Sequence, residues 1–275
     1  SGHSAAYLTD AVATGRENYY SGAVTAGEPP GRWYGLGATA LGLVGLVDPQ
    51  DMTAVYERFI DPRDPVFRDP SRWPEAATLG RVGRKYITED ELYKAALDTE
   101  PSATPERQAE LRLDAGKRAR RNVAFLDVTF SVQKSITVLH TAFEAQEVAA
   151  RQSGNAEAAQ SWAAHRMAVE NAIWAGNNAA LDYLEQQAGY SRTGHHGGAA
   201  GRFVDAHEFV IASFFQHDSR DHDPQLHIHN AILNRVQGSD GMWRTLDSRA
   251  LHRFRPAAAA IAERTTEAHL ATSLG

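Results

Sequence analysis

The chain has 275 residues, 43% of them hydrophobic and 23% charged, and its 28 basic and 34 acidic side chains leave a net charge of −6. That length suits one large domain or two intimately packed ones with ample core. There is no apolar run of bilayer-spanning length, no signal-peptide pattern and no cysteine, which excludes disulfides and thiol catalysis and fits a cytoplasmic protein. The global charge argues mildly against a nucleic-acid partner. Two basic clusters, Lys117-Arg118-Ala119-Arg120-Arg121 and Arg81 with Arg84 and Lys85, permit phosphate binding without demonstrating it.

Residues 4–20 carry an apolar series at Tyr7, Leu8 and Val12, then Tyr19 and Tyr20, a helix broken near Gly15. Residues 22–45 are a loop rich in Gly and Pro around Arg32-Trp33-Tyr34, leading to a short turn at 39–43. Asp48-Pro49 reads as a cap, with a helix over 52–60. Residues 61–85 hold four prolines and many arginines and read as irregular and exposed. Short helical patterns follow at 88–97 and 104–121.

Residues 122–130 (NVAFLDVTF in the sequence from Asn122) form a strand, with Val123, Phe125, Asp127 and Thr129 on one face. A carboxylate within such a run is costly to bury unless it is paired, so Asp127 is either edge-exposed or set beside a cation or an imidazole. Ser131 is placed to cap a helix running to about Val148, and a second long helix over 159–187 ends before Gly189. Residues 194–201 (GHHGGAAG) are a loop whose paired histidines more often play no metal role.

The runs 208–216 and 226–236 are apolar and β-branched, so they read as two strands joined by the polar loop HDSRDHDPQLHIHN, residues 217–230. Side chains two apart on a strand share a face, so His227 and His229 project together. If the strands pair as a hairpin, His217 can face them. That gives three neutral nitrogen donors with open coordination positions, the plan of a catalytic metal site. His222 is a rival third ligand. A turn at 238–241, a short strand at 242–246 and a helix from about Ser248 close the chain.

Taken together, these motifs resemble the conjugative relaxases of the MobF type, within the HUH endonuclease superfamily. HDSRDHDPQLHIHN is similar to their three-histidine motif, and FLDVTFSVQKS to their Asp-bearing strand and Ser/Lys helix start. AYLTD and ENYYSG resemble the paired tyrosine clusters, and GRWYGLGATALGLVG the segment after them. The order of motifs is the family's and covers most of the chain. The loop from His217 to His227 is one residue shorter than the family pattern, and Tyr7-Leu8 stands where two tyrosines are expected.

The resemblance implies an α/β (α+β) relaxase domain over 1–275: a central antiparallel sheet with flanking helices and a smaller C-terminal part, cut from a longer protein with a helicase following. It implies nicking and rejoining of one DNA strand at a plasmid transfer origin. Tyr7 is expected to make the first cut, Tyr19 or Tyr20 to serve a later transfer, and Asp127 to orient an imidazole. The expected cofactor is a divalent ion (Mg, Mn or Zn) on His217, His227 and His229, with Arg220 and Lys134 on phosphates. The expected partners are single-stranded and hairpin DNA and accessory transfer proteins. The alternatives are a rolling-circle replication initiator, or a cupin-like or non-haem iron oxygenase using His227, His229 and Asp218.

Overall fold

The strands expected around the histidines do form, and they build one four-stranded antiparallel sheet. A computed structural model describes residues 28–81, 87, 89–118, 123–194, 201–218 and 224–275. The sheet is made of β1 (Arg32–Tyr34), β2 (Phe125–Ser131), β5 (Ile211–Asp218) and β6 (Pro224–Leu233), in the order β1-β5-β6-β2. Two small ribbons accompany it: β3 (Tyr190–Arg192) with β4 (Phe203–Asp205), and β7 (Val236–Gln237) with β8 (Trp243–Arg244). The helices are α1 (Leu36–Ala40), α2 (Pro49–Arg58), α3 (Glu89–Thr99), α4 (Pro105–Arg118), α5 (Lys134–Gln152), α6 (Ala156–Ala188) and α7 (Ser248–Leu274).

Alternation along the strands divides the core in two. Phe125, Ala212, Phe214, Ala231 and Leu233 pack on one face with Met52, Val55 and Tyr56 of α2. The opposite face carries Leu126, Val128, Phe130, Ile211, Phe215, Ile228 and Ile232, covered by α5, α6 and α7. Tyr56 is fully buried, and its hydroxyl donates to the Ala231 carbonyl at 2.7 Å, tying α2 to the middle of β6. Helices α6 and α7 cross closely at Gly176, where an added Cβ would lie 2.1 Å from Thr266 Oγ1.

Several boundaries differ from the sequence expectation. Asp48 caps α2 through Gln50 N and Asp51 N, as expected, but the helix starts at Pro49. Ser131 closes β2 rather than capping α5, whose N-cap position is Gln133. Asn155 caps α6 by accepting from Ala158 N at 3.0 Å. Gly189 is the C-cap of α6 and has a negative φ. It is needed for close approach, since a Cβ there would meet His207 Cα at 2.6 Å.

Between α6 and the sheet lies a carboxylate with a structural task. Glu185 is buried and accepts from Leu36 N at 2.9 Å and Phe209 N at 2.8 Å, both on Oε2. It thereby fixes the start of α1 and the entry into β5. Helices α3 and α4 pack on each other, with only Ala115 buried between them. Among the described residues no helix is long and apolar enough to cross a membrane.

Candidate active site

Register places the chemistry. β2 pairs with β6 so that Thr129 faces His229 and Asp127 faces Ala231, while β5 pairs Phe214 with His229 and Gln216 with His227. Directly opposed residues in an antiparallel pair share a face. Asp127, Thr129, His227 and His229 therefore project from one side of the sheet, beyond the part that α2 covers.

The two imidazoles meet edge to face with ring centroids 4.8 Å apart. His229 Nδ1 lies 2.9 Å from Asp127 Oδ2 and 2.9 Å from Thr129 Oγ1, and the Thr129 hydroxyl donates to Asp127 Oδ1 at 3.2 Å. A carboxylate only accepts, so Nδ1 carries a proton and the tautomer that offers its lone pair at Nε2 is the one this contact selects. His227 Nδ1 is 2.7 Å from the Gln225 carbonyl, which imposes the same tautomer. Burial lowers the His227 pKa, and neighbouring His229 adds to that, so its imidazole is neutral at physiological pH. Two Nε2 atoms on one face, one ring backed by a carboxylate and the other by a backbone carbonyl, have the chemistry of metal ligands with their outer support in place. The pair thus fits a divalent ion.

His217 does not join this pair. Gln216 takes the position opposite His227, so the next residue turns to the other face, and a register shift falls between Gln216 and Asp218. The His217 ring packs edge-on against Phe215 at 5.1 Å, on the side covered by α5 and α6. Its Nδ1 lies 2.8 Å from Glu28 Oε2, its backbone N–H donates to Glu28 Oε1 at 3.1 Å, and its Nε2 is 4.0 Å from Glu170 Oε1. His140 Nε2 is 2.8 Å from that same Glu170 oxygen. Burial opposes the charged form of His217, but the nearby carboxylates of Glu170 and Glu28 prevail and raise its pKa to about 9. For Glu170 burial also opposes charge, and His140, His217 and Arg166 together hold its pKa well below the carboxylate range.

Other predicted residues fare differently. Lys134 Nζ donates to the Pro224 carbonyl at 2.8 Å, tying the start of α5 to the loop end of the β5–β6 hairpin. Tyr7, Tyr19, Tyr20, Arg220 and His222 lie outside the described residues, as does the side chain of Asp218. The sequence reading overlooked Thr129 as a partner of His229, and Glu28, His140 and Glu170 around His217. His140 carried a local signal: it sits on the buried stripe of α5 with Ile136, Thr137 and Glu147, where a polar side chain needs a partner.

A second concavity of about 920 Å³ lies past the far end of β6, with Arg81, Arg192, Arg235, Arg244, Arg249 and Trp243 in its wall. Arg235 stacks over Phe59 at 4.1 Å and Arg192 over Phe203 at 4.4 Å, which holds both guanidinium planes in place. Arg244 pairs with Asp240 at 2.6 Å, and Arg192 Nε lies 3.8 Å from Asp247 Oδ2. Two carboxylates against five guanidinium groups leave the wall strongly positive.

No curated protein matches the chain in sequence. Among solved structures it is similar to the conjugative relaxase TrwC in complex with oriT DNA in a metal-free form, with 21% identity over 94% of this chain and 67% of that one and a TM-score of 0.57. The metal-bound complex gives 21% identity, 96% and 69% coverage and a TM-score of 0.57. TrwC complexed with a 27-mer DNA comprising the recognition hairpin and the cleavage site gives 22%, 94%, 64% and 0.52. The chain thus spans about two thirds of those proteins' length and shares their fold. The TrwC relaxase family model matches residues 1–275, and the chain belongs to that family.

Proposed function

We propose that this chain is the strand-transferase domain of a conjugative relaxase, which nicks and rejoins one DNA strand at a transfer origin. The observation that carries this reading is the pair His227 and His229, braced by Asp127 on one sheet face, in a chain of the relaxase family. In the reaction a tyrosine oxygen forms a bond to the scissile phosphorus as the bond to the 3′ oxygen breaks. The 5′ end is left on the protein as a phosphotyrosine, and the 3′ oxygen leaves as a hydroxyl after taking a proton. Since one phosphodiester replaces another, the step is reversible.

Tyr7 is the proposed first nucleophile, with Tyr19 or Tyr20 for the later transfer. A phenol with a pKa of about 10 is protonated at neutral pH and needs a positive site nearby to favour its oxyanion. A divalent ion would be held by His227 and His229 and would supply positive charge at the scissile phosphate; His217, the third histidine of the motif, faces away from this pair. Imidazole donors favour Zn over Mg. Asp127 keeps the His229 lone pair on Nε2, and Gln225 does so for His227. Lys134 holds the loop end of the hairpin, and Arg220 contacts phosphate near the cut.

The arginine-lined concavity is the proposed seat for the DNA backbone away from the cut. Arg235 follows His229 by six residues, at most about 20 Å along an extended chain, or roughly six base-pair steps of a duplex at about 3.4 Å each. Single-stranded and hairpin DNA are therefore the proposed substrates, with accessory transfer proteins as partners and the cytoplasm as the place of action. An iron oxygenase needs no such cationic wall.

The test is covalent trapping. Labelled single-stranded oligonucleotides from the transfer origin are incubated with protein and a divalent ion, and adducts are resolved under denaturing conditions. An adduct that needs the ion and is lost in Tyr7→Phe is expected. If Tyr7→Phe forms it at the normal rate and Tyr19→Phe does not, the order of the tyrosines is reversed. No adduct with any origin strand refutes the reading.

A further inference from the structure

We propose that His140, Glu170 and His217 form a second divalent-cation site, of the two-histidine, one-carboxylate type, on the helix-covered face of the sheet. One nitrogen from each histidine and one Glu170 oxygen lie within 4.8 Å of one another. Tetrahedral ligands about 2.0–2.1 Å from a zinc ion stand about 3.3 Å apart. The observed 2.8 Å from His140 Nε2 to Glu170 Oε1 and 4.0 Å from His217 Nε2 to that oxygen bracket this spacing. With every ligand pair within 4.8 Å, shifts of up to about 1 Å per side chain complete the site.

The surroundings hold these donors in place. His140 is 2% exposed on α5, and its ring centroid is 5.5 Å from that of His217. Glu28 takes His217 Nδ1 at 2.8 Å, leaving Nε2 directed at Glu170, the arrangement of a carboxylate behind a ligating imidazole. Arg166 reaches Glu170 Oε1 at 2.9 Å and is the natural competitor of a metal ion. Its Nε, however, is already 2.7 Å from Glu147 Oε2, and Arg151 pairs with Glu147 as well. Glu28, Glu147 and Glu170 are set against Arg151, Arg166 and the extra proton of His217, and a divalent ion would take that proton's place. Glu170 can keep an oxygen for the ion while Arg166 stays matched.

With its ring on the helix side, His217 is a ligand of this site and not of the His227–His229 pair. The site stands independently of the relaxase reading above.

Cobalt(II), whose visible bands report nitrogen ligation and low coordination, is the probe. The full chain and the double variant His227→Ala/His229→Ala are titrated with it. The double variant is expected to bind one ion per chain with the visible bands of an imidazole-containing site. Adding Glu170→Gln to that background is expected to weaken binding at least about tenfold, and His140→Gln is a second route to the same loss. Melting curves with and without cobalt establish that each variant is folded, and the folded one decides. A double variant that binds no cobalt, or binding that survives both added substitutions, overturns the proposal. Strand cleavage is measured separately: its absence in the unaltered chain sinks the relaxase reading and leaves the cobalt result standing.

Discussion

Asp127→Asn isolates the support of the metal pair. Asp127 offers one oxygen to His229 Nδ1 at 2.9 Å and the other to the Thr129 hydroxyl at 3.2 Å, and its side chain is only 4% exposed. The asparagine keeps the shape but has one acceptor and one donor end. With the amide N–H₂ toward His229, the imidazole must move its proton to Nε2 and loses its ligating lone pair. With the oxygen toward His229, the tautomer survives but the carboxylate charge that raises ligand basicity is gone. Either way, loss of such a supporting carboxylate weakens metal affinity by about 10- to 100-fold, or about 1.4–2.7 kcal/mol. Competition between the protein and a chromogenic chelator measures this directly, with His229→Ala as the larger loss for reference. Cleavage is expected to fall in parallel at limiting metal and to recover partly at saturation. Unchanged affinity in a folded Asp127→Asn protein refutes the role assigned to Asp127.

Glu185→Ala strands two backbone N–H groups, of Leu36 and Phe209, and is expected to cost about 2–4 kcal/mol in denaturant unfolding. Glu185→Gln keeps one oxygen for both donors and is expected to be neutral or stabilising at pH 7. Burial raises the Glu185 pKa, so the folded chain holds this proton to higher pH than the unfolded one. The corresponding stability is present below about pH 4.5 and lost as pH rises through the raised folded value; Glu185→Gln is expected to remove that slope, and an identical pH profile refutes it. Gly176→Ala drives a methyl group into Thr266 and the Ala262 carbonyl, at 2.1 and 2.4 Å, and is expected to destabilise by about 1–3 kcal/mol, read by thermal unfolding. Arg249→Ala removes one guanidinium from the cationic wall, and the log–log salt slope of duplex binding is expected to fall by about 0.9. An unchanged slope places the duplex elsewhere.

Strand periodicity alone put His227 and His229 on a common face and Asp127 with Thr129 on another strand's single face, because alternation depends only on the local backbone. The hairpin was legible for the same reason: two β-branched runs flank a polar loop. The placement of His217 was not. A strand's partner register is set by the length of its loop and by packing across the sheet, and a slip of one residue exchanges the faces. Here Gln216, not His217, stands opposite His227. Likewise nothing local could bring His140 of α5 to Glu170 of α6 and His217 of β5, or Arg81 to Arg235 and Arg249. Local sequence determined which side chains each strand presents and the chemistry they carry. Only the tertiary structure decided which of them meet, because contacts between distant segments depend on register and helix packing summed over the whole core.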